Sequence, residues 1–482
     1  MNRADPSIDP RPFSTLPRPV VLGAVLLGAG LLWLWARAHA PSAISDDDFA
    51  RVVIAQKFAQ NPKLDPSGTS WLPVPFYFDG LYMMARGATL QAAREAAGLR
   101  SVLSALLVFS AARRLGIQRL PAILCAWLPF VWPSLNILTV ATVPEYFTAA
   151  LALRAIAGVL TTNSPCGMVG ALLALFLATL SRYEVWALAF ALSAFVLLRR
   201  PRRAMWSLSL LLGPLLWCLH GALHHNDAFF FVTRVANYKA ALGEAHQPWT
   251  RVLLAYPRAL VELEAFLVGA SVAALLVLLG TRMRLKNGLW ISAILGFQIL
   301  ALMLTGLGNA APTHHPERAL ILIWLAMTFV PALAFTELKL RHGPTLKTWS
   351  VAGLALALGA YFQWQRPTSH YAERAAEVSI GETLRLAQAS RPSPTVLATS
   401  DYGYFAIEAA AGHPERFHIA HDHDPRRQKD SLSLGEQTRT MVRHTGAGWL
   451  VVPVCLDFIV QEREASSRIY GENRDFVVIG PR

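Results

Sequence analysis

The chain is poor in charge: Asp, Glu, Lys and Arg make up 16% of its 482 residues, against 54% hydrophobic residues. A soluble globular chain carries roughly a quarter charged residues, so the deficit argues against an ordinary soluble protein and for the membrane class. Cysteine is scarce as well. Its four copies, at 125, 166, 218 and 455, show no metal-ligand spacing and imply no disulfide framework. No internal repeat or low-complexity tract is visible, which argues against the repeated halves of many transporters. Acidic residues are outnumbered, 31 against 44 Lys and Arg, for a formal net charge of +13. The excess does not form a polyanion-binding face, so nucleic acid is not an expected partner. It lies in short clusters between apolar runs, at Arg113-Arg114, Arg199–Arg203, Arg282–Lys286 and Lys339–Lys347. That is the pattern of basic loops held on the inner side of a membrane.

Apolar runs fall at 19–36, 99–112, 121–136, 146–160, 167–180, 185–198, 204–223, 258–280, 288–306, 319–336 and 349–364. At roughly 20 residues per crossing they predict a polytopic α-helical membrane protein of about eleven spans. The segment 1–18 is then cytoplasmic, the first run is a retained span rather than a cleaved signal, and 19–365 is the membrane domain. Composition shifts after 365. A helical stretch at 371–391, β runs at 395–399, 417–420, 449–453 and 476–479, and a helix near 404–411 ending at Gly412 predict a small, partly parallel α/β domain over 366–482.

With the basic clusters inside, the loop 37–98, the other loops opposite them and the C-terminal domain share the outer side. The protein is then a multi-pass protein of the inner (plasma) membrane. The outer side collects Asp46-Asp47-Asp48, Glu145, Arg182 and Glu184, His224-His225, and the segment His314-His315-Pro316-Glu317-Arg318. Ser45 followed by Asp suits a helix start, where carboxylates complement the macrodipole. Three in a row exceed what capping needs, and they are candidates for acid–base work or for a divalent cation. Successive residues at a helix start point about 100° apart, so they cannot all face one cavity. Asp46, nearest the cap, suits the structural role, leaving Asp47 and Asp48 for chemistry. Glu145 either caps its helix or joins the site, and Arg182 and Glu184 either pair with each other or serve a ligand. Arg318 offers a planar fork matched to phosphate oxygens, with His314 and His315 as further donors. His224-His225 and the crowded His418–Asp424 stretch read as loop polarity.

Carboxylates in the first outer loop, between paired interfacial helices, make residues 19–365 resemble the GT-C superfamily of membrane glycosyltransferases. The nearest branch is that of the protein O-mannosyltransferases and aminoarabinose transferases. The usual acidic signature there is an Asp-Glu pair, where this chain has Asp46-Asp47-Asp48. The resemblance implies a polyprenyl-phosphate-linked sugar donor and transfer with inversion to a hydroxyl of a protein, lipid or glycan at the outer face. It matches Glu145 to the second acidic position, and Arg182 and Arg318 to cations that hold the lipid phosphate, alone or with a divalent metal. A polytopic transporter or flippase of envelope precursors, or a non-catalytic assembly protein, are the other classes compatible with the hydropathy.

Overall fold

A computed structural model describes residues 17–162, 164–199, 204–241, 248–281, 285–307, 316–342, 374–399, 401–420, 433–454, 467–472 and 476–481. The order of helices is α1 (Arg18–His39), α2 (Asp46–Gln60), α3 (Val74–Arg86), α4 (Leu90–Arg114), α5 (Arg119–Val131), α6 (Pro133–Val140), α7 (Glu145–Thr161), α8 (Pro165–Thr179) and α9 (Glu184–Arg199). Then follow α10 (Ala204–Ser209), α11 (Leu212–His224), α12 (Phe230–Ala241), α13 (Trp249–Thr281), α14 (Leu285–Leu307), α15 (Pro316–Ala319) and α16 (Ile321–His342).

Among the described residues four helices are long and apolar enough to cross a membrane: Arg18–His39, Leu90–Arg114, Trp249–Leu279 and Ile321–Leu338. The pair α5 and α6, bent by 79°, makes a fifth if it is one broken span. The remaining expected runs are mostly shorter helices, such as α7 with 17 residues and α8 with 15. Prolines account for two of the breaks. Pro133 opens α6 at its first turn, where a missing N–H costs nothing, and Pro214 restricts the run 204–223 to helical starts at α10 and α11. The run 349–364 lies outside the described residues. The turn expected between α8 and α9 is present at 180–183.

The bundle is centred on α4 and α7, whose buried faces are largely alanine. Small residues let helices approach closely where lipid supplies no hydrophobic drive of its own. Gly158 of α7 shows how closely: a Cβ there would meet the Ala171 Cβ of α8 at 2.6 Å. On the other side of the bundle, Leu27, Leu31 and Leu34 of α1 are exposed at 66%, 59% and 56%, as a lipid-facing stripe requires.

The C-terminal sheet contains β1 (Thr395–Leu397), β2 (Phe417–Ile419), β3 (Trp449–Pro453), β4 (Ser467–Glu472) and β5 (Phe476–Pro481), in the order β2-β1-β3-β5-β4. β1 pairs in parallel with β2 and β3, and β5 runs antiparallel to β3 and β4. The expectation of a partly parallel sheet therefore holds, with β4 added. That strand has little apolar signal, its Ile469 being 45% exposed. Gly412 ends the helix Tyr404–Ala411 in the left-handed region, at φ 82°.

The same helix packs on α2. Gln56 of α2, fully buried, donates Nε2 to the carbonyls of Ala409 at 2.8 Å and Ala88 at 3.2 Å. Glu408 in the docking helix is buried, and burial pushes its carboxyl up to about 7, with the Lys57 charge opposing. The folded state therefore holds this proton more firmly than the unfolded chain, where a glutamate titrates near about 4.3. Its stabilising contribution is complete below that value and lost as pH rises through about 7. Thermal unfolding of Glu408→Gln should lose that decline, gaining on the parent protein between pH 5 and pH 8. A parallel pH dependence in both proteins would show that Glu408 titrates normally.

Candidate functional site

α2 starts at Ser45, and the cap is reciprocal: Ser45 takes the first-turn backbone while the Asp48 carboxylate reaches back. Asp48 Oδ2 accepts from the backbone N–H of Ile44 at 2.9 Å and of Ser45 at 3.1 Å. Its Oδ1 accepts from the Thr142 N–H at 2.9 Å and the Thr142 hydroxyl at 3.2 Å. Burial pushes Asp48 up to about 6, against the Ile44 and Ser45 donors and the Arg318 charge, so it is ionised at neutral pH. The capping role expected of Asp46 thus belongs to Asp48, because the capping box uses the third residue of the helix and not the first. Thr142 is held in turn by Arg100, whose Nη2 donates to the Thr142 carbonyl at 2.9 Å and whose Nη1 lies 3.2 Å from Asp79.

Asp46 turns the other way. Its two carboxylate oxygens accept from Nε and Nη2 of Arg374 at 3.0 and 3.2 Å, and Arg374 also binds Glu377 at 2.9 Å and Asp401 at 3.0 Å. The first turn of α2 is therefore fastened to the C-terminal domain.

Asp47, 43% exposed in its side chain, is the carboxylate of the three that faces open space, with Oδ2 3.0 Å from Arg318 Nη1. It lines a polar cavity with Arg51, Trp71, Arg182, Tyr183, Glu184 and Arg318. Behind that cavity Glu145 is buried, with Oε1 2.6 Å from Arg182 Nη1 and 2.6 Å from Arg318 Nε. Arg182 also donates Nε to Glu184. Burial alone would lower the Arg318 pKa, but the Glu145 and Asp47 charges overcome it and raise it. The same balance against Glu145 and Glu184 raises Arg182. Arg51 is lowered to about 10, chiefly by burial, and stays charged. Its guanidinium lies 4.5 Å over the Trp71 ring, a stacking that fixes its plane.

The structure thus brings Asp47, Glu145, Arg182, Glu184 and Arg318 together from four separate stretches of sequence. His314 and His315 lie outside the described residues, as does 421–424. Sequence reasoning missed Arg51, the Asp79–Arg100 pair and Arg374. The spacing Asp47 to Arg51 across one helical turn was the available signal for the first. It also missed Glu264, buried at a non-helical position inside α13 and accepting from Trp132 Nε1 at 2.9 Å and from Ser134. Asp65, His220 and His225 place ligand atoms within 4.8 Å of one another. Two imidazoles and a carboxylate suit a borderline divalent ion by donor type, so His225 has a partner set that loop polarity did not suggest.

No family model matches the chain, and no curated protein matches it. Solved structures do, among them two that align over 96% of this chain and 97% of their own length. These two are ArnT from Cupriavidus metallidurans in the apo state, at 12% identity and a TM-score of 0.58, and the same protein bound to undecaprenyl phosphate, at 12% and 0.57. The chain has the ArnT fold. That fold agrees with the resemblance read from residues 19–365. At 12% identity the likeness is one of backbone, and the roles of individual side chains rest on the geometry above.

The three aspartates should separate by measurement. Asp48→Asn sets an amide N–H₂ against N–H donors and should lower stability by about 1–3 kcal/mol. Asp47→Asn, facing open space, should leave the unfolding midpoint in detergent unchanged. Equal midpoints for Asp48→Asn and the parent protein would remove the cap assignment.

Proposed function

We propose that the protein is an integral-membrane GT-C-type glycosyltransferase, a hexosyltransferase in reaction class. It moves a sugar from a polyprenyl-phosphate-linked donor to an acceptor hydroxyl on a protein, lipid or glycan, with inversion, at the outer face of the inner membrane. The observation that carries this reading is one cavity holding a half-exposed carboxylate, Asp47, beside the guanidiniums of Arg51, Arg182 and Arg318. Inverting transfer from a lipid phosphate needs those two things together. A carboxylate takes the acceptor proton as the hydroxyl attacks, and fixed cations stabilise the charge that develops on the departing phosphate. The ArnT fold, and undecaprenyl phosphate in one of the matching structures, support a lipid-phosphate donor of the same class.

In this scheme Asp47 is the base and Arg318 and Arg51 hold the leaving phosphate. Glu145 is a buried counter-ion that aims Arg182 and Arg318, and Glu184 steadies Arg182. Asp46 and Asp48 orient α2, one through the C-terminal domain and one through the cap. A divalent cation, if used, adds to the neutralisation of the phosphate. The proposed domain limits are 1–18, 19–365 and 366–482, the last on the outer side.

Asp47→Asn should reduce turnover by roughly 10²–10⁴-fold, the usual worth of a general base, while donor binding persists. Arg318→Lys keeps the charge and loses the fork, and should weaken donor binding and turnover together. Normal turnover in Asp47→Asn would remove the base assignment. Sidedness is tested separately. In intact cells a membrane-impermeant thiol reagent should label Lys63→Cys and Glu382→Cys, both exposed, and spare Arg114→Cys. Labelling of Arg114→Cys alone would invert the topology.

A further inference from the structure

A second cavity, away from the Asp47 site, lies where α1 meets α4 and α6, lined by Trp33, Arg37, Ser42, Arg94 and Val140. Among the described residues no carboxylate lines it. Arg37 stands 5.5 Å over the Trp33 ring and donates Nη2 to Gln91 at 3.0 Å, which holds its guanidinium in one plane. Arg94 donates to the Ser42 hydroxyl at 3.3 Å. Trp33 is seated against Gly98 of α4, where even a Cβ would strike the indole at 2.4 Å. Its Nε1–H is buried and has no acceptor among the described residues. Such an orphaned donor costs free energy, and an anionic oxygen between the two arginines would satisfy it. The carboxylate of Glu95 on α4 is directed elsewhere, to Tyr82 at 3.1 Å and Gln91 at 3.0 Å.

We infer that this cavity binds the phosphate of an anionic lipid headgroup. The donor set is a phosphate-type set, two guanidiniums and an indole N–H. Its place on the helix supplies the lipid. Leu27, Leu31 and Leu34, all exposed, form an apolar stripe on α1, and Arg37 follows Leu34 by one turn on the same face. Acyl chains lie along the stripe and the headgroup reaches the arginines. Ser42 and Val140 adjoin the segments that carry the Ser45 cap and Thr142, so an occupied cavity braces the approach to α2.

The test is native mass spectrometry of the full chain titrated with dioleoyl phosphatidylglycerol or with zwitterionic dioleoyl phosphatidylcholine. The parent protein should hold one phosphatidylglycerol at least about tenfold more tightly than phosphatidylcholine. Arg37→Gln with Arg94→Gln should abolish that preference. Trp33→Phe, which keeps the ring and loses the donor, should weaken it several-fold without touching the charge. Arg318→Ala should leave it intact, which separates this site from the proposed catalytic cavity. Equal binding of the two lipids, or an unchanged preference in both the arginine double variant and Trp33→Phe, overturns the inference. Displacement of phosphatidylglycerol by an equal concentration of soluble glycerol phosphate overturns its lipid part.

Discussion

A carboxylate with no exposure at the end of a helical bundle must be neutralised where it stands, and Glu145 is neutralised by two arginines, 37 and 173 residues further along the chain. Arg182 comes from the turn between α8 and α9, and Arg318 from the short helix that precedes α16. Leaving either charge buried alone would cost several kcal/mol, so the triad locks three segments to one point. The position of the cavity follows from that lock. Arg318 still has an edge of its fork for Asp47, and Arg182 for Glu184, so a buried ion cluster extends to the half-exposed Asp47 carboxylate.

The second constraint is on α2, whose first turn carries all three aspartates. Asp48 is spent on the cap and on Thr142, and Asp46 on Arg374. With its neighbours tied down on both sides, the backbone orientation at Asp47 is fixed by the fold itself. The C-terminal domain takes part in this directly, through Arg374 and through the Gln56 contact with Ala409. These contacts clamp the first turn and the middle of α2.

Much of this was legible in the sequence. Basic clusters between apolar runs gave the helical membrane class, the Ser45-Asp sequence gave the start of α2, Gly412 marked a helix end, and the β runs after 395 located four of the five strands. These are local signals, set by hydropathy, capping chemistry and the φ freedom of glycine. The count of crossings was harder to read, since prolines at 133 and 214 break apolar runs that hydropathy scores as continuous.

What the sequence determined by itself was that ionisable residue types would stand at the ends of the helices, because charge cannot remain in hydrocarbon. Which of those residues meet was decided only in three dimensions. Local capping chemistry sets Asp48 apart, but nothing local separates Asp47 from Asp46. That distinction arises because Arg374, distant in sequence, claims Asp46. Likewise Glu145 could have been a helix cap until Arg182 and Arg318 closed on it. Hydrogen bonds and ion pairs act over a few ångströms of space, and sequence separation carries no information about that distance.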